Sequence, residues 1–388
     1  MTRYSSKALS LILCLAVCLV SCTPKYTYQM PEQTNDGWET ASLSNAGISE
    51  KPLRALVEAI HRDKYRNIHS ILIARKGDLV FEEYFSGYRY DYKGEQFRGE
   101  FVNYDANTTH DIASITKAIT SALVGIAIDH SQIQDVNQKV FSFFPEYSHL
   151  KDQKKDKITV EHLLTMTSGL QWNEMDVSVN TRNEKNDIIQ SFHAADPIEY
   201  ILAKPVVAEP GTRWYYSGGD VNILGEVIRK ATGLRMDDFA QQHLFTPLGI
   251  KEYKWDFMNP DIIHAAANLK LRPRDMLKFG QMYLDGGMWK GKRILSRQWV
   301  ERSTKAQQRV SPESWQESEG ERYGYQWFLR TYHTRSGAYE SYLRTGWGGQ
   351  RIVVLPGLEM VVVFTGGNHA TPDPENEIMI RYILPAVR

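Results

Sequence analysis

Apolar residues recur at two different spacings along the chain, and these spacings separate β-rich ends from a helical middle. Residues 68–84 hold two runs rich in β-branched and aromatic residues around a KGD turn, which predicts a β-hairpin. Residues 351–365 repeat this pattern around a Pro-Gly turn. Within 115–126 the apolar positions instead recur every three or four residues, which predicts a helix with one apolar face.

Strands at both ends with helices between them predict an α/β domain that is assembled from both termini. We expect residues 46–134 and 320–388 to form an antiparallel sheet flanked by helices, because hairpins join antiparallel neighbours. Residues 135–319 form a mostly helical insertion in this prediction. With 388 residues, of which 42% are hydrophobic, the chain is long enough for the large core that such a domain, 46–388, requires.

The N-terminus has the features of an export signal. A short positive region precedes an apolar run, 8–20, which is too short to span a membrane but typical of the centre of a signal peptide. The LVSC sequence that ends at Cys22 resembles the lipoprotein box of bacteria, in which the cysteine is lipidated. This resemblance predicts that 1–21 is a lipoprotein signal peptide and that 22–45 is a tether. The alternative is an ordinary signal peptide with a chance cysteine.

The lipoprotein interpretation implies an exported protein that is lipid-anchored in the bacterial cell envelope, on the periplasmic side or in the outer membrane. Lys plus Arg and Asp plus Glu both number 46, so no nucleic-acid partner is expected. The three cysteines all lie within the first 22 residues, and the histidines have no metal-ligand spacing. We therefore expect no metal and no cofactor, whereas the oligomeric state stays open.

Ser114 and Lys117 lie three residues apart at the start of the predicted helix, so their side chains share one face. A serine hydroxyl attacks a carbonyl only when another group takes its proton, and a lysine does so only with a lowered pKa. Lys117 interrupts an apolar helix, which indicates a specific partner. The spacing alone also occurs by chance, with a capping serine and a solvated lysine.

Four motifs in chain order resemble those of the penicillin-recognising serine hydrolases, especially the class C β-lactamase branch with its esterase and 6-aminohexanoate-dimer hydrolase relatives. The resemblance covers roughly residues 37–388 and implies a β-lactamase/transpeptidase-like fold. The motifs are DIASITK at 111–117, ITVEHLLTMTSGL at 158–170, PGTRWYYS at 210–217 and RTGWGGQ at 344–350.

The resemblance also implies roles for individual residues. Ser114 would be the nucleophile, and Lys117 and Tyr216 would transfer protons, with Tyr215 as the neighbouring alternative to Tyr216. The phenol of Tyr216 would need the nearby ammonium of Lys117 to lower its pKa before it could act as a base. The backbone N–H groups of Ser114 and Trp347 would form the oxyanion hole.

Substrate-binding residues are implied on both sides of the expected cleft. Arg344, Thr345 and Gly346 would form the strand along one side, and Trp172 would be either a cleft wall or a packing residue. The family commonly has an Asn where this chain has Gly218, and a Lys or His where it has Arg344. Arg344 could bind a substrate carboxylate in a bidentate way, or it could lie on the surface.

Both departures concern substrate recognition, and they weaken the case for a β-lactamase. We expect a serine hydrolase that cleaves a small-molecule or short-peptide amide or ester through an acyl-enzyme, with a substrate similar to a 6-aminohexanoate oligomer. A true β-lactamase or a D-Ala-D-Ala carboxypeptidase is the alternative within enzymes. A non-catalytic binding lipoprotein of the cell envelope is the alternative from another class.

Overall fold

The computed structural model describes residues 26–175, 185–310 and 322–388. Cys22 and the predicted signal peptide lie outside the described residues. The strands are β1 Glu39–Thr40, β2 Ile68–Arg75, β3 Asp78–Tyr84, β4 Ser86–Tyr90, β5 Arg98–Asn103, β6 His110–Asp111, β7 Lys254–Trp255, β8 Phe257–Asn259, β9 Ile262–Ile263, β10 Leu269–Leu271, β11 Met288–Trp289, β12 Lys292–Arg293, β13 Gln308–Arg309, β14 Arg322–Tyr323, β15 Phe328–Thr334, β16 Gly337–Gly346, β17 Gln350–Leu355 and β18 Met360–Gly366.

Helices connect these strands, and most of those in the described residues lie between residues 135 and 319. None of those in the described ranges is both long and apolar enough to cross a lipid bilayer. The helices are α1 Glu50–His61, α2 Thr116–Asp129, α3 Val160–Leu164, α4 Asp187–His193, α5 Pro197–Ala203, α6 Gly218–Thr232, α7 Met236–Ala240, α8 Thr246–Leu248, α9 Pro273–Leu284, α10 Arg297–Ser303 and α11 Glu375–Ile378.

Among the described residues, nine strands form one sheet in the order β1-β3-β2-β18-β17-β16-β15-β14-β13. Strands from the two ends of the chain meet at its centre, where β2 pairs with β18. The predicted α/β fold, flanked by helices and built from both termini, is therefore confirmed. The prediction of a wholly antiparallel sheet is wrong at one edge, because the two-residue strand β1 runs parallel to β3 and makes the sheet mixed. So short a strand leaves no period that could be recognised in the sequence.

The centre of the sheet is covered on both faces. Every residue of β2, β17 and β18 is buried, as expected for strands that carry helices above and below. Helix α9 packs across these three strands, and at Gly280 an added Cβ would lie 2.6 Å from a methyl of Val361. Both α9 and β13 come from the stretch that was predicted as the helical part, so the insertion contributes to the sheet side as well.

Helix α2 lies at the centre of the molecule. Its residues from Thr116 to Ala127 are all buried, so it is covered on every side rather than on the single apolar face that its sequence pattern suggested. Helix α6 packs against one side of it, and α10 packs against another. At Gly125 an added Cβ would lie 2.5 Å from the Trp299 ring, which explains the glycine.

The segment predicted as a tether, 22–45, is in its described part a component of the domain. The Trp38 side chain is fully buried, and its indole N–H donates to the carbonyl oxygen of Arg274 at 3.2 Å. The guanidinium of Arg274 in turn forms ion pairs with Asp36 at 3.2 Å and with Glu82 on β3 at 2.5 Å. A free linker therefore does not extend past residue 25. Composition alone suggested a tether because the stretch is polar and contains proline.

We expect Arg274→Ala to destabilise the domain by about 3–5 kcal/mol, because it leaves the buried Glu82 carboxylate without its cation. It should also make the N-terminal segment more susceptible to limited proteolysis. Arg297→Ala is the matched control, since the exposed Arg297–Glu301 pair contributes less than about 1 kcal/mol. Urea unfolding measures both effects, and equal stability of the two variants would contradict the proposed docking of the segment.

Candidate active site

Ser114 lies in a tight turn between β6 and α2. The preceding residue, Ala113, has a left-handed backbone with φ +45°, and its N–H donates to the Asp111 carboxylate at 2.8 Å. Positive φ is unfavourable for a residue with a side chain and is concentrated at functional sites. The turn leaves Ser114 partly exposed at the N-terminal end of a buried helix.

Lys117 is one helical turn further on and is almost completely buried, with 1% of its surface exposed. Its Nζ lies 3.0 Å from Ser114 Oγ and donates to the carbonyl oxygen of Ala266 at 2.9 Å. Burial lowers the pKa of this amine to about 7, the negative charge of Glu174 partly opposes that change, and Arg344 adds to it. Near neutral pH a large fraction of the amine is therefore unprotonated and able to accept a proton.

Tyr216 reaches the same serine from the helical part of the chain. Its hydroxyl donates to Ser114 Oγ at 2.8 Å, and Lys117 Nζ lies 4.8 Å from the centre of its ring. The structure thus brings together the three side chains that the sequence singled out. Tyr215, the alternative, instead donates its backbone N–H to Met166 O at 2.9 Å.

The protonation state expected for Tyr216 needs correction. Burial raises the pKa of its phenol to about 12, and the positive charge of Arg344 only partly offsets this rise. The ammonium of Lys117 does not bring this pKa down toward neutrality, because the same burial that raises it also favours the uncharged form of Lys117. Near neutral pH the phenol is therefore a proton donor, and Lys117 is the better candidate for the base.

Arg344 occupies a different place from the two that the sequence suggested. The side chain is fully buried behind the nucleophile, so it is neither on the surface nor able to bind a substrate carboxylate. Its three nitrogens donate to Ser114 O at 2.8 Å, Tyr323 OH at 2.8 Å and Tyr216 OH at 3.3 Å. Both expectations are wrong because β16 directs this residue inward, where it holds the nucleophile's backbone and the phenol in place.

The end of β16 lies against the turn that carries the serine. Thr345 is buried and pairs with Arg351 of β17, and at Gly346 an added Cβ would lie 2.4 Å from the carbonyl oxygen of Ile112. Only a glycine permits this close approach. Trp347, the next residue, is partly exposed and donates its indole N–H to His369 O at 3.1 Å. The joint action of the Ser114 and Trp347 amides as an oxyanion hole stays a prediction.

Trp172 proves to be a packing residue. Its exposed fraction is 3%, and an added Cβ at Gly219 would lie 2.9 Å from its ring. Its indole N–H donates to Glu174 Oε2 at 2.8 Å, and the backbone N–H of Gly218 donates to the same oxygen at 2.6 Å. Gly218 occupies the position at which the family commonly has an Asn, and here its backbone N–H is bonded to the carboxylate of Glu174 from another loop.

Sequence reasoning missed three groups at this site. The carbonyl of Ala266 and the hydroxyl of Tyr323 have no motif of their own, and they reach the site only because the chain folds back on itself. Glu174 lies in a polar loop in which no spacing distinguishes it from its neighbours. In the part of the chain that the structure describes, no group of three His, Cys, Asp or Glu side chains is arranged to hold a metal ion.

A partly exposed serine at a helix start, a buried lysine one turn later and a phenol from a separate helical part define the class of penicillin-recognising serine hydrolases. The comparison with family models agrees with this class. The chain belongs to the Beta-lactamase family, whose model matches residues 53–387.

Individual relatives are distant. A proposed D-alanyl-D-alanine carboxypeptidase of Salmonella agona (strain SL483) is 25% identical over 246 residues, which cover 61% of this chain and 55% of the relative. The chain therefore spans about half the length of the curated relatives that it matches. The acyltransferase mokF of Monascus pilosus is 26% identical over 171 residues, or 40% of each chain.

Solved structures share the fold over most of the chain. A proposed 6-aminohexanoate-dimer hydrolase from Bacillus anthracis superposes with a TM-score of 0.66 at 20% identity, covering 85% of this chain and 80% of that one. An octameric penicillin-binding protein homologue from Pyrococcus abyssi superposes with a TM-score of 0.62 at 20% identity, covering 85% and 76%. At these identities the likeness establishes the fold.

We expect Arg344→Lys to lower kcat for hydrolysis by roughly tenfold or more, because lysine keeps the charge but cannot make all three hydrogen bonds. KM should change much less, since Arg344 is sealed from substrate. Tyr323→Phe removes one of these bonds and should have a smaller effect. A wild-type kcat in the lysine variant, or an effect confined to KM, would contradict the positioning role.

Proposed function

We propose that this protein hydrolyses a small amide or ester through a covalent acyl-enzyme on Ser114. One observation carries the proposal: Ser114 is partly exposed, and its Oγ lies 3.0 Å from the Lys117 amine and 2.8 Å from the Tyr216 hydroxyl. One group can accept a proton and the other can donate one at near-neutral pH, which is the combination that acyl transfer needs.

In the first half of the reaction, neutral Lys117 takes the hydroxyl proton while Ser114 Oγ attacks the carbonyl carbon. The N–H groups of Ser114 and Trp347 donate to the oxyanion that forms. The Tyr216 hydroxyl gives its proton to the leaving amine or alcohol, and the Lys117 ammonium then returns a proton to the phenolate. The acyl group remains bound to Ser114, Lys117 and Tyr216 return to their starting protonation states, and the leaving group carries away the proton that Ser114 lost.

In the second half, water attacks the acyl-enzyme and Lys117 accepts a proton from that water. The tetrahedral intermediate collapses, the acid product leaves, and Ser114 Oγ regains its proton. Ser114 and Lys117 therefore act in both halves of the reaction, so removal of either should abolish nearly all turnover.

Small amides and esters, including compounds similar to 6-aminohexanoate oligomers, fit this site better than β-lactams. Gly218 has no side chain to contact a ligand amide, and the buried Arg344 cannot reach a ligand carboxylate. The fold of the Bacillus anthracis protein and that of a family VIII carboxylesterase (TM-score 0.63, 18% identity) are consistent with this substrate class. Because the Salmonella relatives are named as proposed D-alanyl-D-alanine carboxypeptidases, D-Ala-D-Ala peptides are the alternative substrate to be tested.

A fluorophosphonate probe should label the purified protein, and Ser114→Ala should abolish the labelling. Labelling should slow as the pH falls through about 7, because Lys117 becomes protonated there and can no longer accept the serine proton. Above that pH the rate should level off. In-gel fluorescence across a pH series measures both effects.

Lys117→Met is the matched variant, since it keeps the length of the side chain without its amine. It should lose the labelling at every pH. Labelling that persists in the Ser114→Ala protein, or a rate that does not change between pH 5 and 9, would contradict the mechanism.

We further propose that the protein is exported and anchored to the bacterial envelope by a lipid on Cys22. The apolar run 8–20 and the LVSC sequence support this location. Palmitate labelling of cells that express the full chain should give a labelled band that Cys22→Ser abolishes. Equal labelling of the two chains would contradict the lipid anchor without affecting the proposed chemistry.

A further inference from the structure

The Glu174 carboxylate lies in the space where a side chain of residue 218 would project. The Gly218 N–H donates to Glu174 Oε2 at 2.6 Å, and an added Cβ at Gly218 would lie 2.6 Å from Ile188 Cδ1 and 2.8 Å from that carboxylate oxygen. Gly218 is the first residue of α6 and follows Tyr216 by only two positions. Glu174 and Ile188 therefore fill the space of a side chain at residue 218, and Glu174 brings a negative charge to the start of α6.

The charged side chains around Ser114 differ in their exposure to solvent, and this difference determines which of them a substrate can contact. Lys117 has 1% of its surface exposed and Arg344 has none, so both cations are sealed within the protein. Glu174 is partly exposed. Its charge acts on the reacting groups, because it raises the pKa of both Lys117 and Tyr216. A partly exposed negative charge thus lies at the start of α6, two residues after Tyr216, whereas the cations Lys117 and Arg344 are buried.

We propose that Glu174 is a specificity-determining residue that selects substrates carrying a protonated amine and disfavours substrates carrying a carboxylate. This inference rests on the proposed hydrolase function and deepens it by naming the substrate class. A carboxylate accepts strong charge-assisted hydrogen bonds from an ammonium group, whereas it repels another carboxylate. Substrates with a free carboxylate beside the scissile bond, such as C-terminal dipeptides, are accordingly poor fits.

A purely structural role for Glu174 would be to hold its loop against the start of α6. Both of its bonds to Trp172 and Gly218 end on one oxygen, Oε2. A glutamine can keep both bonds with its single carbonyl oxygen while removing the charge. Glu174→Gln therefore separates recognition by charge from support of the loop.

The test compares p-nitrophenyl esters of an ω-amino acid, of the fatty acid of equal length and of the dicarboxylic acid of equal length. The wild-type protein should have its highest kcat/KM with the amino ester and its lowest with the carboxylate ester. In Glu174→Gln the ratio of amino to neutral ester should fall by roughly tenfold or more. Loss of the charge also changes the pKa of Lys117 and of Tyr216, but that effect is common to the three esters and cancels in the ratio. Glu174→Asp, which keeps the charge, should retain the preference for the amino ester.

Glu301→Gln is the matched control, because this exposed glutamate lies on α10 and pairs only with Arg297 among the ion pairs described. Its ester ratios should equal those of the wild type. Ser114-dependent hydrolysis with the same ratio in wild type and Glu174→Gln would overturn the inference, as would a preference for the carboxylate ester. Hydrolysis that Ser114→Ala leaves intact would instead overturn the proposed function.

If Glu174→Gln fails to fold, competition on the wild-type protein decides the question. Primary alkylammonium ions should inhibit hydrolysis of the neutral ester more strongly than alkanoates of equal length. Stronger inhibition by the alkanoates, or equal inhibition by both, would overturn the inference.

Discussion

The chemistry of this protein depends on one buried amine. Lys117 extends from a helix that is covered on every side, and its amine reaches only Ser114 Oγ and one backbone carbonyl among the hydrogen bonds described. A charge in such a place loses most of its hydration, so the uncharged form is favoured and the pKa falls to about 7. The same burial raises the pKa of Tyr216, so one environment yields both a proton acceptor and a proton donor.

The remaining features of the site hold Ser114, Lys117 and Tyr216 in place. The sheet contributes Gly346, which permits contact with the turn before Ser114, and Arg344, which bonds to Ser114 O and to the phenol of Tyr216. The helical part contributes Tyr216 and the carbonyl of Ala266. The site therefore lies where the two parts of the fold meet, and neither part could form it alone. This division explains why chemically linked residues are so far apart in the sequence.

Local sequence patterns were sufficient to predict part of the fold and of the site. The hairpins and the assembly of the sheet from both termini follow from period and turn chemistry. The convergence of Tyr216 with Ser114 and Lys117 was implied by the resemblance to the family. Features that depend on long-range packing could not be predicted in this way. The sequence does not tell whether Arg344 faces solvent or lies buried behind the nucleophile. The polar segment before residue 45 becomes part of the domain through distant partners, among them Arg274 and the strand β3. Glu174 acquires its place from a backbone N–H on another element.

The central claim is that burial lowers the pKa of Lys117 to about 7, so that about half of the amine is uncharged at neutral pH, and this pKa can be measured directly. NMR titration of protein with isotopically labelled lysine, with the resonance assigned by Lys117→Arg, reports the ionisation of this one amine. The account predicts a midpoint near pH 7. A midpoint at the ordinary lysine value of 10.5 would mean that the amine stays protonated beside Ser114, and the proposed proton transfer would then be wrong.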